Sequence, residues 1–223
     1  MTPAATCGTA VYEAGTALRE KLLALAGVDS PQFTIRDGHI VIKASGDVGE
    51  AVRNLVTRSG QPYVEAKVTT EANADAKKFS SYSFGAQFAE VHVDADLGQI
   101  FVARMTGVFG TGKILNAKTA RSQFIGGMVW GISLALLEKT TYDSRLGRIV
   151  NNNLAEYHVP TNADVGDIDV SWVEEQDLHV SAMGAKGIGE IGITGSAAAI
   201  ANAIYHATGK RIREVPITPD KLL

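Results

Sequence analysis

Between Lys118 and Lys139 lies a segment whose centre, "FIGGMVWGISLALL" (Phe124 to Leu137), is apolar on every helical face. It falls short of the roughly 20 residues that a membrane span needs, so the expectation is a buried core helix. Three glycines interrupt it: Gly126, Gly127 and Gly131. Each costs about 1 kcal/mol of helix stability relative to alanine. The usual return for glycine in such a place is close approach of another backbone or of a ligand.

The remaining pattern supplies elements to cover that helix. Val11, Ala14, Leu18, Leu22 and Leu25 form one apolar stripe, predicting a helix over Thr9–Ala26 with Gly27 closing it. Asp37-Gly38 between two β-type runs predicts a hairpin. "DVGEAVRNLV" reads as a short helix, and residues 69 to 81 as an exposed loop. A second hairpin is expected from "AQFAEVHVD" and "QIFVARMTGV", turning at Ala95 to Gly98. "DIDVSWVEE" reads as a strand, with Ile168, Val170 and Trp172 on one face. A last helix is expected over Ser196–Ala207, with Thr194 or Ser196 as N-cap and Gly209 at its end, followed by an extended "RIREVPIT". Hairpins mixed with helices predict an α+β fold rather than a doubly wound sheet. The 223 residues suffice for one large domain or two α+β lobes, the latter with a boundary near residues 82–90.

Charge and cysteine content narrow the chemistry. Net charge is −3, with no basic run, which argues against nucleic acid and membrane surfaces as partners. One cysteine, Cys7, excludes an internal disulfide framework and a thiolate zinc site. His39, His92, His158, His179 and His206 make no ligand-spaced pair, so no protein-ligated metal is expected. No n-region and h-region stand at the start, as expected of a chain without a signal peptide.

Two glycine motifs carry candidate chemistry. "GVFGTGKI" (Gly107 to Ile114) has Ile where a P-loop needs a hydroxyl for Mg²⁺, which leaves a tight turn as its reading. "GIGEIG" (Gly187 to Gly192) fits G-x-G-x-x-G after a plausible strand "LHVSAM". The following helix, however, starts late for a dinucleotide loop, and no second parallel strand offers the acidic residue that such a site uses. An isolated NAD or FAD module is one alternative. Another is a non-catalytic assembly domain in which Glu190 is only a solvated loop residue; the ordinary fates of such a carboxylate are to cap the helix or to pair with Lys186 in water. A third use of the same turn is acid–base chemistry. Apolar neighbours would raise the pKa of Glu190, and a helix N-terminus would lower it.

As a set, "GTAVYEAGTALREKL", "FGAQFAEVHVDADLGQIFV", "GKILNAKTARSQFIGGMVWGISLALLE", "NNNLAEYHVPTNADVGDI" and "GAKGIGEIGITGSAAAIANAI" resemble the C-terminal part of the molybdenum-binding large subunit of the xanthine dehydrogenase and aldehyde oxidoreductase family. The resemblance implies that Glu190 is the catalytic base. It would take a proton from metal-activated water as an aldehyde or an N-heterocycle carbon is hydroxylated. It also implies that Gln123 lies near the metal and pterin, and that Gly126 and Gly127 let the cofactor approach. Thr119 would help hold the nucleotide part, Lys186, Gly187 and Ile188 would lie beside the pterin, and Ala5, Thr6 and Cys7 would edge a segment near the metal. The implied cofactor is molybdenum–molybdopterin in its cytosine dinucleotide form. Iron–sulfur clusters and FAD would sit in partner subunits or domains. Partners would be the remainder of the large subunit and the iron–sulfur and flavin subunits, in cytoplasm or periplasm, and residues 1–223 would be inactive alone. Phe109 and Ala117 stand near the Asp and Pro of the family's D-x-G-x-x-x-N-P form, a departure from it.

Overall fold

The computed structural model describes residues 3–70 and 78–223. Its first helix, α1 (Pro3–Leu25), begins earlier than the apolar spacing suggests. Of the expected stripe, Val11 and Leu25 are exposed; Ala5, Thr9, Leu22 and Leu23 are the buried positions. β1 (Phe33–Arg36) and β2 (His39–Ile42) form the expected hairpin. Asp37 and Gly38 both adopt positive φ, 48° and 74°, as the favoured two-residue turn requires. The helix expected from Asp47 is shortened. Val48–Ala51 instead form β3, antiparallel to β2, and α2 spans only Val52–Arg58. Gly49 favours that outcome, being a poor helix former. Leu23, Ile40 and Leu55 centre the core of this unit, which comprises Pro3–Phe79 with Leu178–Met183. The expected loop over residues 69 to 81 lies partly outside the described residues; the described part has neither helix nor strand.

The second unit comprises Ser80–Asp177 with Gly184–Leu223. β4 (Phe84–Val93) and β5 (Ile100–Gly110) are the long hairpin. The Asp94 carboxylate accepts from the N–H groups of Asp96 and Leu97 in its turn. The register shifts between Glu90 and Val91, which leaves Ala103 as an extra residue on β5. That bulge switches the strand's parity, so Val102 faces the core before it and Met105, Gly107 and Phe109 after it. The chain continues into α3 (Ala117–Leu136), then β6 (Tyr142–Asp143) and β7 (Arg148–Ile149), a small antiparallel pair. β8 (Asp167–Trp172) lies parallel to β5, completing the order β4-β5-β8. A four-residue helix, α4 (Ile191–Thr194), precedes α5 (Ser196–Thr208). The architecture is thus α+β, with antiparallel hairpins and one parallel strand packed against helices.

Phe124, Met128 and Ile132 of α3 pack with Met105 and Phe109 of β5, Val170 of β8, and Ile200 and Ile204 of α5. The Phe109 and Phe124 rings stack at 4.5 Å. The expectation that α3 is buried on all sides needs correction. Thr119, Gln123, Gly126 and Trp130 are exposed, and their spacing of 4, 3 and 4 makes one open strip along the helix. The Asn116 side chain caps α3 by accepting from the Thr119 N–H at 3.1 Å.

At α5 the N-cap is Gly195, not Thr194 or Ser196. Both hydroxyls are engaged elsewhere: Thr194 donates to the Glu190 carbonyl, and Ser196 bonds Gln87 and the Gly192 carbonyl. Gly209 ends the helix at φ 72°, as expected. "RIREVPIT" forms no strand; the Ile217 N–H bonds the Ala135 carbonyl at 2.7 Å. Among the described residues, no helix is long and apolar enough to cross a membrane.

Candidate functional site

The segment Gly184–Gly192 is held chiefly by its carbonyl oxygens. At its start it pairs with the turn after β5. The Lys113 N–H bonds the Gly184 carbonyl at 2.7 Å, and the Lys186 N–H bonds the Thr111 carbonyl at 3.0 Å. That turn is the second half of the "GVFGTGKI" motif, whose Gly107–Gly110 end β5, and Gly112 takes φ 71° there, as a tight turn demands. Farther on, Ser83 Oγ donates to the Gly187 carbonyl at 2.9 Å, and Gln123 Nε2 to the Gly189 carbonyl at 2.7 Å. Gln87 Nε2 donates to the carbonyls of Ile191 (3.3 Å) and Gly192 (3.0 Å). The N–H groups of Gly187, Ile188, Gly189 and Glu190 find no acceptor among the described residues. The turn therefore presents a short run of amide donors while its acceptors are tied back.

Glu190 sits at the end of that run, immediately before α4. It is exposed, and its carboxylate has no hydrogen-bond or ion-pair partner among the described residues. Both ordinary uses of a loop carboxylate weighed above are thus set aside. It does not cap the helix through its side chain, and it does not pair with Lys186. A free carboxylate can accept a proton without first breaking an ion pair.

Lys186 has other partners. Its ammonium lies 2.9 Å from Glu175 Oε1 and 3.2 Å from Asp177 Oδ2 and is largely buried. Glu175 Oε1 also accepts from the Gly112 N–H, so the ion cluster ties the two paired turns together. Burial disfavours the Lys186 charge, but the hydrogen bonds and opposite charges of Glu175 and Asp177 outweigh it and hold the pKa above the ordinary lysine value. A raised pKa in the folded state means stabilisation that is complete below the unfolded value, about 10.4, and fades as pH rises through the folded value. Lys186→Met is expected to lower stability by about 1–3 kcal/mol near neutral pH, since two carboxylates lose their counter-charge. In urea unfolding at a series of pH values, the gap between wild type and variant should narrow above pH of about 10.4. A gap independent of pH would refute this role for the cluster.

The sequence-predicted residues divide into groups. Gln123 reaches the turn directly, and Gly187, Ile188 and Glu190 belong to it. Thr119 and Gly126 share the exposed strip of α3 with Gln123. A Cβ on Gly126 would meet nothing within 4 Å. The close approach expected at Gly127 is made by protein: a Cβ there would lie 2.8 Å from Gly192 Cα. Reciprocally, a Cβ on Gly192 would lie 2.5 Å from the Phe124 carbonyl oxygen. The last glycine of "GIGEIG" thus lets α4 touch α3. Thr6 and Cys7 are exposed on α1 in the first unit. The strand expected at "LHVSAM" is a series of turns, which removes the local setting of a dinucleotide loop. No group of three or more His, Cys, Asp or Glu able to hold a metal occurs among the described residues. Ser83, Gln87, Glu175 and Asp177 escaped the sequence reading, and Ser196 was legible only as a possible helix cap. They are ordinary polar residues; the partners of Ser83 and Gln87 lie more than 100 residues away, and Glu175 and Asp177 meet Lys186 across a loop with no periodic signal.

Residues 2–166 match the family model described as molybdopterin cofactor-binding domain. The chain is 40% identical over 218 residues to the aldehyde oxidoreductase molybdenum-binding subunit PaoC of Escherichia coli (strain K12), covering 98% of this chain and 29% of that subunit. It is 33% identical to the putative xanthine dehydrogenase molybdenum-binding subunit XdhA of the same strain, covering 96% of this chain and 29% of that one. Among solved structures, the aldehyde oxidoreductase from Desulfovibrio desulfuricans ATCC 27774 superposes with a TM-score of 0.70 at 27% identity, over 99% of this chain and 22% of that one. The chain therefore spans under a third of the length of these relatives.

Proposed function

The chain belongs to the molybdopterin cofactor-binding domain family, and from that premise we propose that it forms one wall of a molybdenum–molybdopterin site in which Glu190 is the general base. The observation that carries this reading is the coincidence of three features in one place. They are four unpartnered amide donors at Gly187–Glu190, an unpaired carboxylate at their end, and an open helix strip reached through Gln123. The donor set suits an oxygen-rich, anionic group. Amides at the turn would donate to its oxygens, and Gly126 would leave room along α3. Thr119 lies one turn nearer the helix N-terminus, where the backbone dipole favours a nucleotide phosphate.

When bound, the group supplies a two-electron acceptor and a metal that acidifies water. The chain's own contribution is to place a proton acceptor there. A Glu190 carboxylate oxygen takes the proton from the water whose oxygen enters the product. Gln123, bonded to the Gly189 carbonyl, holds the residue preceding the base. Lys186 acts at a distance, by fixing the turn against Gly112 rather than by touching substrate.

The substrate class in this reading is an aldehyde or an N-heterocycle, in keeping with the names of the two bacterial relatives. The cofactor is the cytosine dinucleotide form. Electrons leave through iron–sulfur and flavin groups on partner subunits, and the 223-residue chain alone is inactive. The complex works in cytoplasm or periplasm.

Gly126→Leu tests the wall directly. The site is exposed and open, so leucine should raise helix stability by roughly 1 kcal/mol in the cofactor-free protein. In the complete subunit it should overlap the cofactor. An overlap of about 1–3 kcal/mol weakens binding by roughly 5- to 150-fold, read as lost molybdenum content. A stable variant with a full molybdenum load would refute the reading.

A further inference from the structure

Building on Glu190 as the base, we propose that Gln87 and Ser196 form a latch that fixes where Glu190 points, which makes Gln87 a positioning residue for the reaction. Gln87 stands on β4, half-buried, 104 residues from Ile191. Its Nε2 donates to the carbonyls of Ile191 and Gly192, the two residues that follow the base. Its Oε1 accepts from Ser196 Oγ, which also lies 2.8 Å from the Gly192 carbonyl. Chemistry allows only this orientation of the amide. Turned over, Oε1 would face two carbonyl oxygens with no proton between them.

The latch matters because the base is held through its backbone and not through its side chain. α4 has four residues, too few to persist on its own hydrogen bonds. The Glu190 side chain has no partner of its own, so its direction follows the backbone of Gly189–Gly192. That backbone is gripped before the base by Gln123 and after it by Gln87. Ser196 is fully buried, and it fits only because Gly131 lacks a side chain: a Cβ there would lie 2.1 Å from Ser196 Cβ. A buried polar network is seldom the most stabilising way to fill such a space, since apolar groups of the same shape do as well. What it supplies is a single arrangement of the groups it joins.

The test uses the complete subunit with its partners, as Gln87→Met and, as a milder change that keeps the amide, Ser196→Ala. Loss of the latch should accelerate amide hydrogen exchange at residues 193–194 of the cofactor-free subunit, where the Ile193 N–H bonds the Glu190 carbonyl, by about tenfold, leaving the β4–β5 ladder unchanged. In the loaded enzyme kcat should fall about 10- to 100-fold, with KM within about twofold, because the base is displaced rather than substrate binding lost. Glu190→Gln serves beside them and should lose turnover with exchange unchanged. Normal exchange or normal kcat in Gln87→Met and Ser196→Ala, beside an inactive Glu190→Gln, would overturn the latch alone. Full turnover in Glu190→Gln would overturn the base reading and the latch's role with it.

Discussion

Valine in place of Gly131 is expected to destabilise the second unit by about 3 kcal/mol or more, the upper end for overpacking. Helix propensity alone predicts the opposite sign, because glycine is the worse helix former by about 1 kcal/mol relative to alanine. Packing decides. The first added carbon would stand 2.1 Å from Ser196 Cβ and 2.8 Å from Ser196 Oγ, and Ser196 opens α5. To make room, α5 must shift away from α3, which also pulls Ser196 from Gln87 and from the Gly192 carbonyl. The melting temperature should drop by roughly 6–12 °C at about 2–4 °C per kcal/mol. Gly126→Ala, five residues earlier on the open strip, should raise it slightly. Shifts of the same sign at the two glycines would show that α3 and α5 do not meet as described.

These two glycines also show what the sequence could and could not reveal. Both sit in one apolar helix, and both carry the same propensity penalty. Which one meets a neighbouring helix, and which faces open space, depends on where α5 returns, more than 60 residues later. Local signals were sound where their cause was local. Asp37-Gly38 turned a hairpin, Gly209 ended α5, and alternation marked β4, β5 and β8. They misled where pairing with a neighbouring strand intervened. Val48–Ala51 became a strand because β2 offered an open edge, and Val102 and Met105 share the core only through a bulge at Ala103.

The site divides in the same way. The "GIGEIG" motif, Gln123 and the strip through Gly126 were legible as residues. The bonds that shape the turn were not, since Ser83 and Gln87 act across 104 residues and Lys186 turned to Glu175 and Asp177 rather than to Glu190. The glycine pattern itself had two readings until the fold chose. Its last glycine serves helix contact with α3, and the preceding residues serve the free amides.

Glu190→Gln is the substitution with the largest expected effect on turnover. The side chain is exposed and has no partner, so the change should leave stability within about 0.5 kcal/mol. Glutamine keeps the shape and the reach but cannot take a proton. Loss of a positioned base typically costs on the order of 10²–10⁴ in rate. The deciding measurement is kcat on a saturating aldehyde or N-heterocycle for this variant in the complete complex, with molybdenum content determined on the same sample. If Glu190 is the base, the variant carries a full molybdenum load and kcat falls by about 10²–10⁴. A fully loaded variant that turns over at the wild-type rate would contradict it.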